Sequence, residues 1–458
     1  MLRSMILVLL FSVLLGACLT TSPTTPIPTV PEPTASPSPT PSFEPTSLVE
    51  VDDEIPSASC PPITGDMLSE MRSIEAEVRQ LRGLQPLQPV ERRLFTTDQL
   101  RTYVLENFLA NYTAQEAQAD VEMLFMLGLL PEALDLRQLY TDLYSEQIAG
   151  FYDTENDEMV VICESDFSGV ERLTYAHEFV HTLQDQYFGF ETGLAYSDTA
   201  CKGNSQRCAA AQALFEGDAT LLQEQWLRMF AHTEDLQDLA LFFSSFSMPV
   251  YESAPHYIQA DFTFPYLEGL FFVRSLYLKD GWATVDDAFL NPPQSTEQIL
   301  HPERYPWDDV VALRIPDLTS LADRGWEVAH QDVLGEWTLR KMLEVFLPES
   351  DASLAAEGWG GDFVILLDNP ELETQSMIQL IQWDSMRDAH EFTAAYQDYG
   401  ELRFGEAAHL STTSAEWTSG NINVLFERQS NQTLVILSTG EDLQAIRDAL
   451  TLPIRALP

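Results

Sequence analysis

The sequence predicts an α+β chain, with a mostly helical domain over residues 60–334 and a smaller α+β module over 335–458. Three observations carry this expectation. Apolar residues recur at helical spacing through most of the first stretch. One pair of short apolar runs around a polar turn, within 150–163, breaks that period. Past residue 335, short apolar runs alternate with helix-period segments, the order of a small antiparallel sheet with helices on one face. Of 458 residues, 45% are hydrophobic and 10% aromatic, which is a globular composition long enough for two or three domains.

Taken in order, residues 67–84 read as a charged helix. Leu100, Val104, Phe108 and Leu109 repeat at helical spacing behind a cap at Thr97. Thr113 opens a third helix that runs to Leu130 and stops at Pro131, and a fourth spans 132–149. Residues 150–153 and 159–163, around the turn 154–158, predict a β-hairpin. Helices follow over 169–187, over a segment after Cys208, and over 261–280 with Pro265 near its start. The last module has strands predicted at 363–367, 377–383, 421–427 and 433–438. Its helices are predicted at 335–346, 385–399 and 441–450.

Ahead of the folded part, Arg3 and the apolar run 5–15 read as the core of an export signal, too short to span a bilayer stably. The run ends in Leu15-Gly16-Ala17-Cys18, which resembles the bacterial lipobox. That resemblance implies a signal over 1–18, cleavage before Cys18 and a lipid on its thiol. The chain is then expected as a lipoprotein on the extracytoplasmic face of the cell membrane, extracellular or periplasmic. Residues 19–59 are Pro/Thr/Ser-rich with almost no apolar content and predict an extended tether. With Cys18 set aside, Cys60, Cys163, Cys201 and Cys208 form an even number, which outside the cytosol suggests disulfides. Cys201 and Cys208 bracket a short polar loop and are the expected pair; Cys60–Cys163 follows by elimination.

The charge excludes some functions. With 24 Lys+Arg against 71 Asp+Glu, the net charge is −47. A nucleic-acid backbone is repelled by such a chain, and no polybasic segment is present to hold anionic lipid.

One segment carries chemistry. His177-Glu178-Phe179-Val180-His181 is an H-E-x-x-H on a predicted helix. Residues at i and i+4 share one helix face, so two imidazoles a turn apart can reach one Zn²⁺ while Glu178, beside them, can take a proton from water. Leu173, Ala176, Val180 and Leu183 surround the histidines and predict a buried helix. A second apolar segment, AAAQALFEGDA, carries Glu216 and Asp218. A carboxylate there is costly to bury unless it is paired or bound to metal. Glu216 is the expected third ligand, with Asp218 as its rival.

HEFVH followed by the glutamate of EGDA resembles the gluzincin branch of the zincin metallopeptidases. The phrases GFYD, AHEFVHTLQDQYF, EGDA, FPYLEGLFFV and STEQILHPERY together resemble an uncharacterised group of exported bacterial and archaeal proteins with this core. The resemblance spans roughly residues 140–306. It implies a zincin-like fold for 60–334, a zinc ion on His177, His181 and Glu216, Glu178 as general base, and a polypeptide substrate. Thermolysin-type members have an aspartate where Thr220 stands here, so the acid that steadies a ligand histidine is expected from Asp218 or Asp185. An oxyanion-stabilising group is expected from His256, Tyr257, Tyr266 or His301. His301, in the Pro-fixed loop LHPERY, is placed first as a catalytic residue. The strand over 159–162 is expected at a sheet edge, where it would pair with extended peptide. The alternative function is a non-catalytic, metal-stabilised lipoprotein that binds peptide or cell-envelope polymer.

Overall fold

The computed structural model describes residues 5–9, 60, 62–163, 167–440 and 443–450. The lipobox and the tether expected over 19–59 lie outside the described residues. The architecture is α+β, as expected.

The first helix, Gly65–Arg82, starts where the Thr64 hydroxyl accepts the Met67 N–H at 3.2 Å. It buries Met71, Ile74 and Val78 along one stripe. Thr96, rather than Thr97, caps the next helix, Thr97–Tyr103, through reciprocal bonds with Gln99. Thr113 caps Ala114–Met126 as expected. The fourth helix, Leu136–Gln147, is shorter than predicted. Its last turn passes directly into the strand Ile148–Asp153, which with Glu158–Ile162 forms the predicted hairpin.

Strand order corrects one expectation. The sheet runs Met5–Leu9, Ile148–Asp153, Glu158–Ile162, Glu91–Phe95. Glu158–Ile162 pairs antiparallel with Ile148–Asp153 on one side and parallel with Glu91–Phe95 on the other. The strand over 159–162 is therefore interior, with both edges hydrogen-bonded, and cannot add a peptide. Ile148–Asp153 is the strand next to the sheet margin, and Met5–Leu9 pairs along its outer side.

Below this sheet lie three long helices. The histidine helix, Gly169–Phe188, opens where the Glu171 carboxylate accepts the Ser168 N–H at 3.0 Å. Residues 172–184 are buried throughout, so the helix is covered on every side and sits inside the fold rather than on it. The glutamate helix, Ser205–Met229, is capped by the Asn204 side chain. The tyrosine helix, His256–Asp280, crosses it at glycine against glycine. A methyl group added at Gly217 would stand 2.1 Å from the Gly269 carbonyl oxygen, and one at Gly269 would stand 2.2 Å from that of Ala213. Backbone meets backbone there, so neither helix can yield by turning a side chain. Gly217→Ala is expected to destabilise by about 3 kcal/mol, the upper end of overpacking costs, read as a lower midpoint in chemical denaturation.

The C-terminal sheet has seven strands, all pairs antiparallel, in the order Glu327–Asp332, Trp359–Asn369, Thr374–Trp383, Gln432–Ser438, Ile422–Gln429, Ser414–Ser419, His409–Leu410. It begins at Glu327, ahead of the boundary expected at 335. Helices cover both faces rather than one. Val364 and Leu366 face Gly335–Glu344 and Met386–Phe404, whereas Phe363, Ile365 and Leu367 face Leu321, Trp326 and Ile446. A strand buried on both faces reads as a continuous apolar run, which is what FVILL is. The module shares its core with the preceding helices: Leu124, Leu127 and Leu143 belong to the same apolar cluster, and Tyr399 donates to the Leu127 carbonyl at 2.8 Å.

Both expected disulfides are present. Cys201–Cys208 joins the short helix Asp198–Cys201 to the first turns of the glutamate helix, and Cys60–Cys163 spans 103 residues. Such bridges belong to an oxidising, extracytoplasmic setting. Among the described residues, no helix is long and apolar enough to cross a membrane.

Candidate metal centre

His177, His181 and Glu216 come together as the sequence predicts. One ligand atom from each lies within 4.8 Å of the others, and all three side chains are fully buried. The imidazole centroids stand 4.7 Å apart, the separation that one helical turn sets. His177 Nε2 lies 3.2 Å and His181 Nε2 3.4 Å from the same carboxylate oxygen of Glu216.

The other side of each ring decides its protonation. His181 Nδ1 stands 2.8 Å from Gln184 Oε1. The Gln184 amide nitrogen donates to the Phe215 carbonyl at 3.0 Å and to Asp218 at 2.8 Å, so its oxygen is the atom that faces the ring. An amide oxygen only accepts, so Nδ1 carries the proton and Nε2 is left as a bare lone pair. His177 Nδ1 meets Gln223 Oε1 in the same way at 3.3 Å. Burial pushes both imidazoles below their ordinary range, His181 to about 3, so both are neutral at physiological pH.

These donors fit a divalent cation. Buried His181 Nε2 makes no hydrogen bond, and it faces a carboxylate oxygen that is itself an acceptor. Acceptors turned toward one another in a dry site repel unless a positive charge stands between them. Two imidazoles and one carboxylate are a zinc donor set, with both Nδ1–H groups held by outer partners.

Those outer partners differ from the expectation. Asp218 is not a rival ligand. It binds Arg82 at 3.0 and 3.2 Å and reaches His181 only through Gln184. Arg82 is itself buried, pairs also with Asp286 at 2.6 Å, and stacks 4.6 Å over Trp282. Asp185 accepts from Tyr152 and from the Phe190 N–H, away from the histidines.

His301 is a correction. Its Nε2 bonds Glu336 at 2.9 Å, and the residue stays out of the cluster. The proline-fixed loop is rigid, but it is anchored to the C-terminal module. His256 only opens the tyrosine helix, and Tyr257 lines the cavity beside it. Tyr266 is the candidate that arrives, donating from its hydroxyl to Glu216 Oε1 at 3.1 Å. Burial first and the Glu216 charge second push its phenol well above the ordinary range, so it stays a proton donor. Glu178 is buried beside His177. The Ile148–Asp153 strand passes so closely that a methyl group at Gly150 would stand 3.6 Å from Glu178 Cγ.

Tyr266 and Tyr196 are among the residues that line a cavity of about 890 Å³ between the tyrosine helix and the helices Ala114–Met126 and Leu136–Gln147; the three clustered ligands do not line it. A second acidic group, Glu297, Asp308 and Asp384, has its charge met by Arg304, which bonds all three at 2.7 to 3.2 Å.

Residues 324–448 match a family model described as a domain of unknown function, DUF8575. The match covers the C-terminal sheet and stops short of the metal cluster. No curated protein and no solved structure matches the chain.

Proposed function

We propose that the chain is a zinc-dependent peptidase of the gluzincin type, carried at the extracytoplasmic face of the cell membrane by a lipid on Cys18. The observation that carries the reading is the donor set: among the described residues, three ligands rather than four, with Glu178 beside them. Structural zinc takes four protein ligands, whereas catalytic zinc keeps a position open. Zinc held here would supply Lewis-acid polarisation of the peptide carbonyl and a more acidic water. Glu178 takes the proton from that water and passes it to the leaving nitrogen. Tyr266 turns its phenolic hydrogen from Glu216 to the oxygen on which charge develops. Gln184 and Gln223 hold the two rings so that their Nε2 lone pairs converge.

Substrate enters along the tyrosine-lined cavity. Export would remove Met5–Leu9 with the signal and open the outer side of Ile148–Asp153, the strand that runs against Glu178, to pairing with extended peptide. Full burial of all three ligands is the one observation that favours the non-catalytic reading, in which the ion only joins two helices.

Metal analysis together with hydrolysis of a disordered protein substrate decides the matter. The wild type is expected to carry one zinc per chain and to cleave the substrate. His177→Ala and Glu216→Ala are each expected to lose the zinc. Zinc retained in Glu216→Ala would put the third ligand elsewhere, and a zinc-loaded wild type without hydrolysis would leave the ion a structural role.

A further inference from the structure

The cavity beside the cluster has a chemical character of its own. Five carboxylates line it, and four of them are already engaged. Glu116 meets Lys202, Asp120 meets Tyr112 and His330, Asp198 meets Asn111, and Asp332 takes the backbone N–H groups of Ser205 and Val333. The fifth is Asp261. Among the described residues, no cation pairs with it, and the donor turned toward it is the Trp337 indole N–H. Burial pushes its carboxyl up to about 6, and the Trp337 indole N–H offsets part of that shift. Pro265, four residues on, has no N–H to give the Asp261 carbonyl, so a second acceptor on the same residue lacks its helical donor.

Aromatic rings surround this carboxylate. The phenols of Tyr140, Tyr144 and Tyr257 all lie within reach of its charge and are held neutral by burial. Tyr140 and Tyr144 stack at 6.1 Å, and Phe262 closes against Tyr144 at 5.5 Å. A carboxylate that no cation meets, set among aromatic faces in a cavity open to solute, is the arrangement that recognises an organic cation. The charge pairs with the carboxylate, and the alkyl stem and the positive head lie against the rings. The chain's charge of −47 also draws cationic solutes toward it. Tyr266, whose hydroxyl bonds the clustered Glu216, lines the same cavity.

We propose that this cavity is a specificity pocket for a lysine or arginine side chain of the substrate peptide, with Asp261 as its counter-ion. The proposal rests on the peptidase reading for what the pocket serves, but not for whether the pocket binds.

Binding is therefore measured separately from cleavage. The full chain carrying Glu178→Gln is loaded with zinc and titrated with three blocked pentapeptides that differ only in a central lysine, norleucine or glutamate. The lysine peptide is expected to bind at least tenfold more tightly than the norleucine peptide, with the glutamate peptide weakest. Adding Asp261→Asn is expected to bring lysine and norleucine to equal affinity. Equal binding of lysine and norleucine by the parent overturns the proposal without need of the second variant. A lysine preference that survives Asp261→Asn in a protein of unchanged melting temperature removes Asp261 from the role and overturns it as stated. Wild-type cleavage of a mixed peptide library separates the two readings. Hydrolysis with no basic preference sinks the pocket and leaves the peptidase, whereas Asp261-dependent lysine binding without any hydrolysis sinks the peptidase and leaves the pocket.

Discussion

Glu178→Gln is expected to lower kcat for peptide hydrolysis by about 10²- to 10⁴-fold while leaving one zinc per chain, because the substitution removes proton transfer and nothing else. Glu178 belongs to the histidine helix but is not one of the three clustered ligands. Glutamine keeps the length and shape of the side chain in a fully buried position, so the packing against Gly150 and Thr174 is preserved. What is lost is the base. Water near the metal then has no group to take its proton, and the leaving nitrogen has none to give one back. The check is kcat with metal content measured on the same preparation. Hydrolysis at the wild-type rate, with zinc in place, would remove Glu178 as the base.

Arg82→Met is expected to cost about 3–5 kcal/mol of stability, the range for leaving one partner of a buried pair alone. Both Arg82 and Asp218 are inaccessible, so methionine can fill the arginine's volume but cannot meet the carboxylate. The loss depends on pH, and its sign follows from the direction of the Asp218 shift. Burial raises the Asp218 carboxyl above its ordinary range, and Arg82 draws it back. Without Arg82 it rises further. An acid whose folded value is raised weakens the fold as pH climbs from about 4, its unfolded value, to the raised folded value. The variant's deficit is therefore smallest in acid and grows as pH rises, which denaturation at pH 4 and pH 7 reads directly. The same variant leaves Asp218, the acid on which Gln184 is anchored, without its cation, so zinc affinity is expected to fall by about 10- to 100-fold.

The parts of the site legible in the sequence were the ones set by local rules. His177 and His181 meet because i and i+4 share a face, whatever the rest of the chain does. Glu216 stood out because a carboxylate amid alanines and phenylalanine needs a reason to be there. Gln184 and Gln223 carried no such mark, since a glutamine in LQDQ or LLQEQ reads as surface until its partner is known. Tyr266 was one candidate among four. What brings it to Glu216 is the approach of Gly217 to Gly269, a contact between segments about fifty residues apart that no local pattern reports. The interior position of Glu158–Ile162 was hidden for a related reason. Its parallel neighbour, Glu91–Phe95, is the polar run ERRLF and lies far upstream. The edge strand Glu327–Asp332, EVAHQD, is mostly exposed and has no apolar period to read. Asp261 likewise became visible only when the other four acids of the cavity were seen to be satisfied.

The bridge between Cys60 and Cys163 also sets how the molecule bears mechanical load. A pull on the chain ahead of residue 60 cannot peel away Gly65–Arg82 one turn at a time, because the tension leaves the backbone at Cys60 and crosses the sulphurs 103 residues forward. It arrives at the end of Glu158–Ile162, in line with two hydrogen-bonded neighbours, where strands resist in shear rather than unzipping. The segment from 62 to 162 lies off that path, so the load bypasses it.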